Sequence, residues 1–166
     1  SDYTIYFTSS ATECWEIIAQ SFIQKSSAYF FNGPFGEKGF QYAKKIKSDT
    51  IGIPFDMEKE IPISLLKSEV EVIGITQNET SNGTFISNYL IEELKRNNPS
   101  SLIAIDITSS IGGTNVPIAY GDIWYGSVQK CLGLPAGLGI LICSPQAMQK
   151  AKEVNDQFFY NSILFI

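Results

Sequence analysis

Apolar positions along this chain switch repeatedly between a period of two and a period near 3.6. Tyr3 to Phe7 is rich in β-formers, and Thr8-Ser9-Ser10 offers a turn with capping residues. From Ala11 to Phe22 the apolar residues Trp15, Ile18, Ala19 and Phe22 fall on one helical face. Ala28 to Phe31 reads as a short buried strand closed by Asn32-Gly33-Pro34. Phe35 to Lys47 reads as a helix and Thr50 to Phe55 as a strand. The polar stretch from Asp56 to Glu69 has room for a short helix over Pro62–Leu66. Val70 to Gln77 is a strong strand, Asn78 to Thr84 a loop, and Ser87 to Arg96 a helix. Leu102 to Ile107 is almost continuously apolar, as a central parallel strand is. Asp122 to Val128 and Leu138 to Cys143 are two more strands, and a last helix starts near Pro145, proline being suited to a first turn.

Strands alternating with helices predict an α/β domain with a largely parallel sheet. Ligands of such sheets sit at the carboxyl ends of the strands. The small, polar and glycine-rich segments fall at that edge: Ser9-Ser10-Ala11-Thr12, Asn32-Gly33-Pro34-Phe35-Gly36, Asn78-Glu79-Thr80-Ser81, Asp106-Ile107-Thr108-Ser109-Ser110 and Ser127-Val128-Gln129-Lys130. A site is expected there.

Composition narrows its chemistry. Apolar residues make up 44% of the 166 and charged residues 17%, the balance of a globular chain. The net charge is −5 with no basic cluster, which disfavours nucleic acid or an anionic membrane as partner. No apolar run approaches the ~20 residues of a membrane span. Ser1-Asp2-Tyr3 is unlike the start of a secretory signal. Cys14, Cys131 and Cys143 are too few and too scattered for a disulfide or metal framework, which points to a reducing cytoplasm. With no histidine, the chain holds no Ser-His-Asp triad, Cys-His dyad or histidine-bound zinc, and no metal site is expected. The one arginine, Arg96, sits in Lys95-Arg96-Asn97-Asn98-Pro99, which reads as a solvated helix end.

Four features could carry chemistry, and each has a plainer reading. Lys130 lies between an apolar strand and the Gly/Pro loop Cys131–Gly137, where a desolvated amine becomes a nucleophile for a carbonyl; a snorkelling strand-end lysine is the alternative. Asp106 closes the most apolar strand and needs a partner, either a protonated ring nitrogen or the backbone ahead of Thr108. The turn Ser9–Thr12 offers hydroxyls and amides at a helix start, for a phosphate or for capping alone. Phe35, between Gly33-Pro34 and Gly36, is either an aromatic platform or an ordinary core residue.

The order of these segments resembles the cofactor region of the class V aminotransferases, which depend on pyridoxal phosphate. The resemblance rests on Asp106 to Gly113, on Tyr125 to Gly139 with its Ser-x-Gln-Lys at Ser127–Lys130, and upstream on Ser10-Ala11-Thr12-Glu13, Asn32–Lys38 and Asn78–Gly83. It covers about Phe7 to Ser144. It implies a fold-type I large domain, three-layer α/β/α with a mostly parallel sheet, over residues 1–166. An N-terminal segment and a C-terminal small domain would lie outside it.

By that resemblance Lys130 is the covalent anchor of pyridoxal 5'-phosphate and the proton carrier, and Asp106 pairs with the ring nitrogen. Phe35 stacks on the ring, Thr108 packs on its other face and Thr80 bonds near its phenolic oxygen. Ser10, the amides of Ala11 and Thr12, and Gln129 hold the phosphate. The departures are Ala11, where glycine is usual, and Lys38, where arginine is common; Gln129 before the lysine fits aminotransferases better than cysteine desulfurases. The substrates implied are an amino acid and a 2-oxo acid. The phosphoserine type with 2-oxoglutarate and glutamate is favoured over the alanine– or serine–glyoxylate types and over a lyase or desulfurase. The resemblance also implies a homodimer and a substrate-carboxylate arginine from outside these residues, so the chain alone is expected to be inactive. The competing reading is an interaction domain that has lost its cofactor.

Overall fold

The computed structural model describes residues 2–66 and 69–166. Part of the polar stretch Asp56–Glu69 therefore lies outside the described residues. Within them its helical piece is a single 3-10 turn over Ile63–Leu65.

Seven strands form one sheet: β1 (Thr4–Thr8), β2 (Ser27–Phe31), β3 (Thr50–Pro54), β4 (Val72–Thr76), β5 (Leu102–Asp106), β6 (Ile123–Ser127) and β7 (Gly139–Cys143). The helices are α1 (Ala11–Phe22), α2 (Pro34–Ile46), α3 (Asn88–Asn97) and α4 (Pro145–Val154). A second 3-10 turn, Ile118–Tyr120, was not expected from the sequence. The strand order is β1-β7-β6-β5-β4-β2-β3. Every neighbour pair among β2 to β6 is parallel, while β7 runs antiparallel to both β6 and β1. The sheet is thus mostly parallel, as expected, with one reversed strand. The reversal follows from the connection: a parallel return needs a crossover, commonly a helix, and the loop from Val128 to Leu138 contains none. Because β1 is reversed again against β7, its carboxyl end rejoins those of β2 to β6. Five polar segments therefore meet at one edge.

Alternation along the strands divides the core into two layers. Val72, Leu102, Ala104, Ile123 and Tyr125 face α1, α2 and α4. Ile73, Ile75, Ile103, Ile105 and Trp124 face α3 and the loops around Ile61, Val70 and Ile86. All five residues of β5 are buried, which accounts for its nearly continuous apolar run.

Helix ends are set by local chemistry. Ser10 caps α1 by accepting from Glu13 N at 3.3 Å, and Ser144 caps α4 by accepting from Ala147 N at 3.1 Å. Helix α4 stops at Asn155, which takes the left-handed conformation (φ 48°). The apolar tail packs in part: Asn161, Ser162 and Ile163 are buried, with Ile163 N bonded to Ser21 Oγ of α1 at 3.0 Å, while Phe158 and Tyr160 project outward. No helix among the described residues is long and apolar enough to cross a membrane.

Candidate active site

At the carboxyl edge a cleft of about 360 Å³ opens between α1, α2 and the ends of β4, β5 and β6. Of the residues singled out from the sequence, Ala11, Thr12, Phe35, Thr80, Asp106, Thr108, Gln129 and Lys130 line it. Ser10 does not; its hydroxyl is turned to Glu13 N as the helix cap. Among the described residues no three His, Cys, Asp or Glu side chains cluster to hold a metal.

Lys130 follows β6 by three residues, and its ammonium reaches back over the cleft. Nζ donates to Thr80 Oγ1 at 2.5 Å and to Ser109 Oγ at 3.1 Å, and the two hydroxyls are 2.6 Å apart. The same Nζ lies 4.8 Å from the centroid of the Phe35 ring. Phe35 is 39% exposed and lines the cleft wall, so it is no core residue. Lys38, one turn further along α2, brings a second ammonium to 6.0 Å from the same ring.

Asp106 sits at the floor, 6% exposed, where β5 ends. Its Oδ1 accepts from Thr108 N at 2.9 Å, so the backbone partner expected as the plainer reading is present. The residue nevertheless faces the cleft, and among the described residues the hydrogen bonds to its carboxylate come from Thr108 alone. Burial pushes its carboxyl above the ordinary aspartate range. The Thr108 hydroxyl and amide and the Lys130 ammonium pull the other way, and Glu79 adds to the rise. The Thr108 hydroxyl also accepts from Ser127 N at 3.2 Å, which ties the end of β6 to the loop after β5.

The start of α1 supplies the other end of the cleft. Ala11 N donates to Ser127 Oγ at 2.7 Å and Glu13 N to Ser10 Oγ, so two of the first-turn amides are engaged within the chain. Thr12 is exposed beside them and lines the cleft together with Gln129. Gly139 lets this turn lie against β7: a Cβ there would come within 2.4 Å of Thr8 Oγ1 and 2.9 Å of the Ser10 carbonyl carbon.

The structure adds residues that the sequence reading did not single out. Ser109 shares the Lys130 amine with Thr80, and Ser127 anchors the α1 turn. Trp15, Gln41, Tyr42, Thr76 and Asn78 complete the walls beside Lys38. Phe35, Lys38 and Tyr42 are spaced three and four apart on α2, which is the pattern that could have marked its cleft-facing stripe. Burial makes Cys14, beneath the cleft, an inert thiol, pushed up to about 12, while Cys131 is exposed with Sγ 3.2 Å from Ser109 O.

The family model for class-V aminotransferases matches residues 44–156. A phosphoserine aminotransferase of Rhodococcus opacus is 32% identical over 148 residues, covering 87% of this chain and 38% of that protein. A crystal structure of a phosphoserine aminotransferase from Cytophaga hutchinsonii superposes with a TM-score of 0.91 at 30% identity, over 99% of this chain and 47% of that one. An alanine–glyoxylate aminotransferase from Nostoc has the same fold, with a TM-score of 0.84 at 20% identity, over 96% of this chain and 45% of that one. The chain thus spans less than half the length of these relatives.

Proposed function

The chain belongs to the class-V aminotransferase family, and on that footing we propose that residues 1–166 are the cofactor-binding domain of an enzyme moving an amino group between an amino acid and a 2-oxo acid. The cofactor of this family is pyridoxal phosphate, whose ring acts, when bound, as an electron sink for charge on the substrate's α-carbon. The single observation that carries the proposal is the meeting of Lys130, Asp106 and Phe35 in one cleft.

The residues present fit the cofactor. Asp106 is a buried carboxyl group hydrogen-bonded only by Thr108 among the described residues, so a protonated ring nitrogen would give it a paired countercharge. Phe35 presents an exposed aromatic face, and Thr108 lines the same cleft for the ring's other side. The Thr12 amide and hydroxyl, with Gln129, suit a phosphate at the start of α1, while Ser10 and Ala11 hold that turn in shape.

In this reading Lys130 Nζ is the anchor and the base. Its amine, when not bonded to the cofactor, would take a proton from the substrate's α-carbon and give it back within the same cleft. Thr80 and Ser109 are the hydroxyls that hold the free amine in the cleft meanwhile. Phosphoserine with 2-oxoglutarate or glutamate is the favoured substrate set, supported by the two phosphoserine aminotransferases at 30% identity or more. Alanine– or serine–glyoxylate exchange is the second reading.

A substrate carboxylate normally calls for a bidentate arginine. Arg96 is on α3, 2.7 Å from Glu92, and does not line the cleft. The carboxylate clamp is therefore assigned to residues beyond this chain, together with a second subunit of a homodimer. A reducing cytoplasm suits the three free cysteines.

An absorbance titration tests the proposal in two steps. The chain should bind pyridoxal phosphate with a visible band that phosphoserine does not bleach. A longer protein containing it should convert that band to the amine form faster with phosphoserine or glutamate than with alanine or serine. A chain that never gives the band contradicts the proposal, and preference for alanine moves the substrate to the second reading.

A further inference from the structure

Helix α2 carries Phe35 in its first turn, yet it has no cap of its own. Its N-cap residue, Gly33, has no side chain, and Pro34 follows at the first helical position. The cap comes from 43 residues downstream, where Glu79 Oε2 accepts from Gly36 N at 3.1 Å. The other oxygen of Glu79 stays in its own loop, accepting from Ser81 Oγ at 2.7 Å and Ser81 N at 3.2 Å. Glu79 is 1% exposed, and its backbone is pinned by Glu79 N to Thr84 O and Gly83 N to Glu79 O, both at 2.9 Å. A second tie runs beside it, from Asn82 Nδ2 to Asn32 O at 2.9 Å.

From this geometry we infer that Glu79 is a positioning residue: by bridging two loops it fixes Phe35 and Thr80 relative to one another around the Lys130 amine. Phe35 is one residue from Gly36 and Thr80 one residue from Glu79, and both reach Lys130 Nζ. The alternative role is capping alone. Burying a carboxylate costs free energy, which the positive end of α2 and three hydrogen bonds offset. A serine or aspartate at position 33 would cap the helix without that cost. The chain instead has glycine there, and a Cβ at position 33 would fall 2.4 Å from Glu79 Cγ and 2.5 Å from Cδ. The bare N-cap is thus the space that Glu79 occupies. What the bridge provides and a local cap cannot is a fixed distance between the two loops. Its effect on cofactor affinity rests on the proposed function; the bridge itself does not.

Two variants separate the roles. Glu79→Ala removes cap and bridge together. Gly33→Ser added to Glu79→Ala restores a local cap without the bridge. Position 33 has extended backbone (φ −161°) that serine adopts freely, and of the three atoms nearest a Cβ there the one outside Glu79, Ser81 Oγ at 2.7 Å, loses its Glu79 partner and is free to turn. Melting temperature, pyridoxal phosphate affinity and amide exchange over Asn78–Thr84 are measured on each. The expected result is a lower melting temperature and about tenfold or more weaker affinity for Glu79→Ala. The double variant should regain the melting temperature but keep the weak affinity and the fast loop exchange. Recovery of affinity and slow exchange in the double variant would reduce Glu79 to a helix cap and overturn the inference. If Glu79→Ala does not fold, Glu79→Met keeps much of the side-chain volume and removes both acceptor oxygens; unchanged loop exchange in that variant equally overturns it. A wild-type chain that binds no pyridoxal phosphate overturns the proposed function instead, and amide exchange alone then decides the bridge.

Discussion

Lys130 Nζ stands 4.8 Å from the centre of the Phe35 ring, although 95 positions in sequence separate the two residues. The contact joins the loop after β6 to the first turn of α2 across the open cleft, so a flat ligand anchored at Lys130 is set beside an aromatic face. Phe35→Ala should weaken pyridoxal phosphate binding roughly two- to tenfold, the equivalent of the ~0.5–1.5 kcal/mol carried by an aromatic pair. Phe35→Trp should match or exceed wild-type affinity. Fluorescence titration reads both. Because Phe35 is partly exposed, its loss should change the melting temperature of the cofactor-free chain little.

Asp106 should behave unlike most aspartates when pH is varied. Burial raises its folded pKa, so the folded chain keeps the proton at pH values where the unfolded chain has already lost it. Its contribution to stability is therefore greatest in acid and declines as pH rises from the ordinary aspartate value through the raised one. Without cofactor, Asp106→Asn should melt no lower than wild type at neutral pH, and the wild type should gain relative to it in mild acid. With cofactor the order should reverse, since the variant lacks the charge that faces the ring nitrogen. Thermal melts across pH, with and without pyridoxal phosphate, check both signs.

Gly139→Ala should damage the site from beneath. Its Cβ meets Thr8 Oγ1 and the Ser10 backbone, and backbone cannot swing aside as a side chain can. A loss of about 1–3 kcal/mol in urea unfolding is expected, with weaker cofactor binding because Ser10 to Thr12 move.

At the opposite edge of the sheet, Asp122 accepts from Lys95 Nζ at 2.8 Å, Ile103 N at 2.9 Å and Ser144 Oγ at 3.1 Å while 5% of its side chain is exposed. Asp122→Ala leaves the Ile103 amide without that acceptor and Lys95 Nζ with neutral oxygens only, at Ser101 O and Gln146 Oε1, and should cost about 3 kcal/mol, with cofactor affinity unchanged once the folded fraction is corrected for. Such a result would separate the stability of the fold from the chemistry of the cleft.

The layering of this domain was legible because β5 and β6 are buried on both faces and read as apolar runs, and because Ser10 and Pro145 announce helix starts. Strand order was not legible. It depends on which strands pair across long gaps, although the helix-free loop from Val128 to Leu138 already excluded a parallel return for β7. The cleft-lining residues could be picked out where backbone order alone brings them to one edge, as for Asp106, Lys130 and Phe35. Ser109, Ser127 and Glu79 were missed for a common reason. Each acts through a partner at least 21 positions away, and nothing in its own neighbourhood distinguishes it from a polar loop residue. Ser10 shows the converse: a hydroxyl at a helix start suits phosphate and cap alike, and here it serves the cap.

The most direct test of the account is chemical. The chain is incubated with pyridoxal phosphate, reduced with borohydride, digested, and the modified lysine located by mass spectrometry. The account predicts the cofactor's mass on Lys130 in preference to every other lysine, Lys38 included, and its disappearance in Lys130→Ala. Labelling spread over the exposed lysines, or unchanged in that variant, would contradict the assignment of the cleft as a pyridoxal phosphate site.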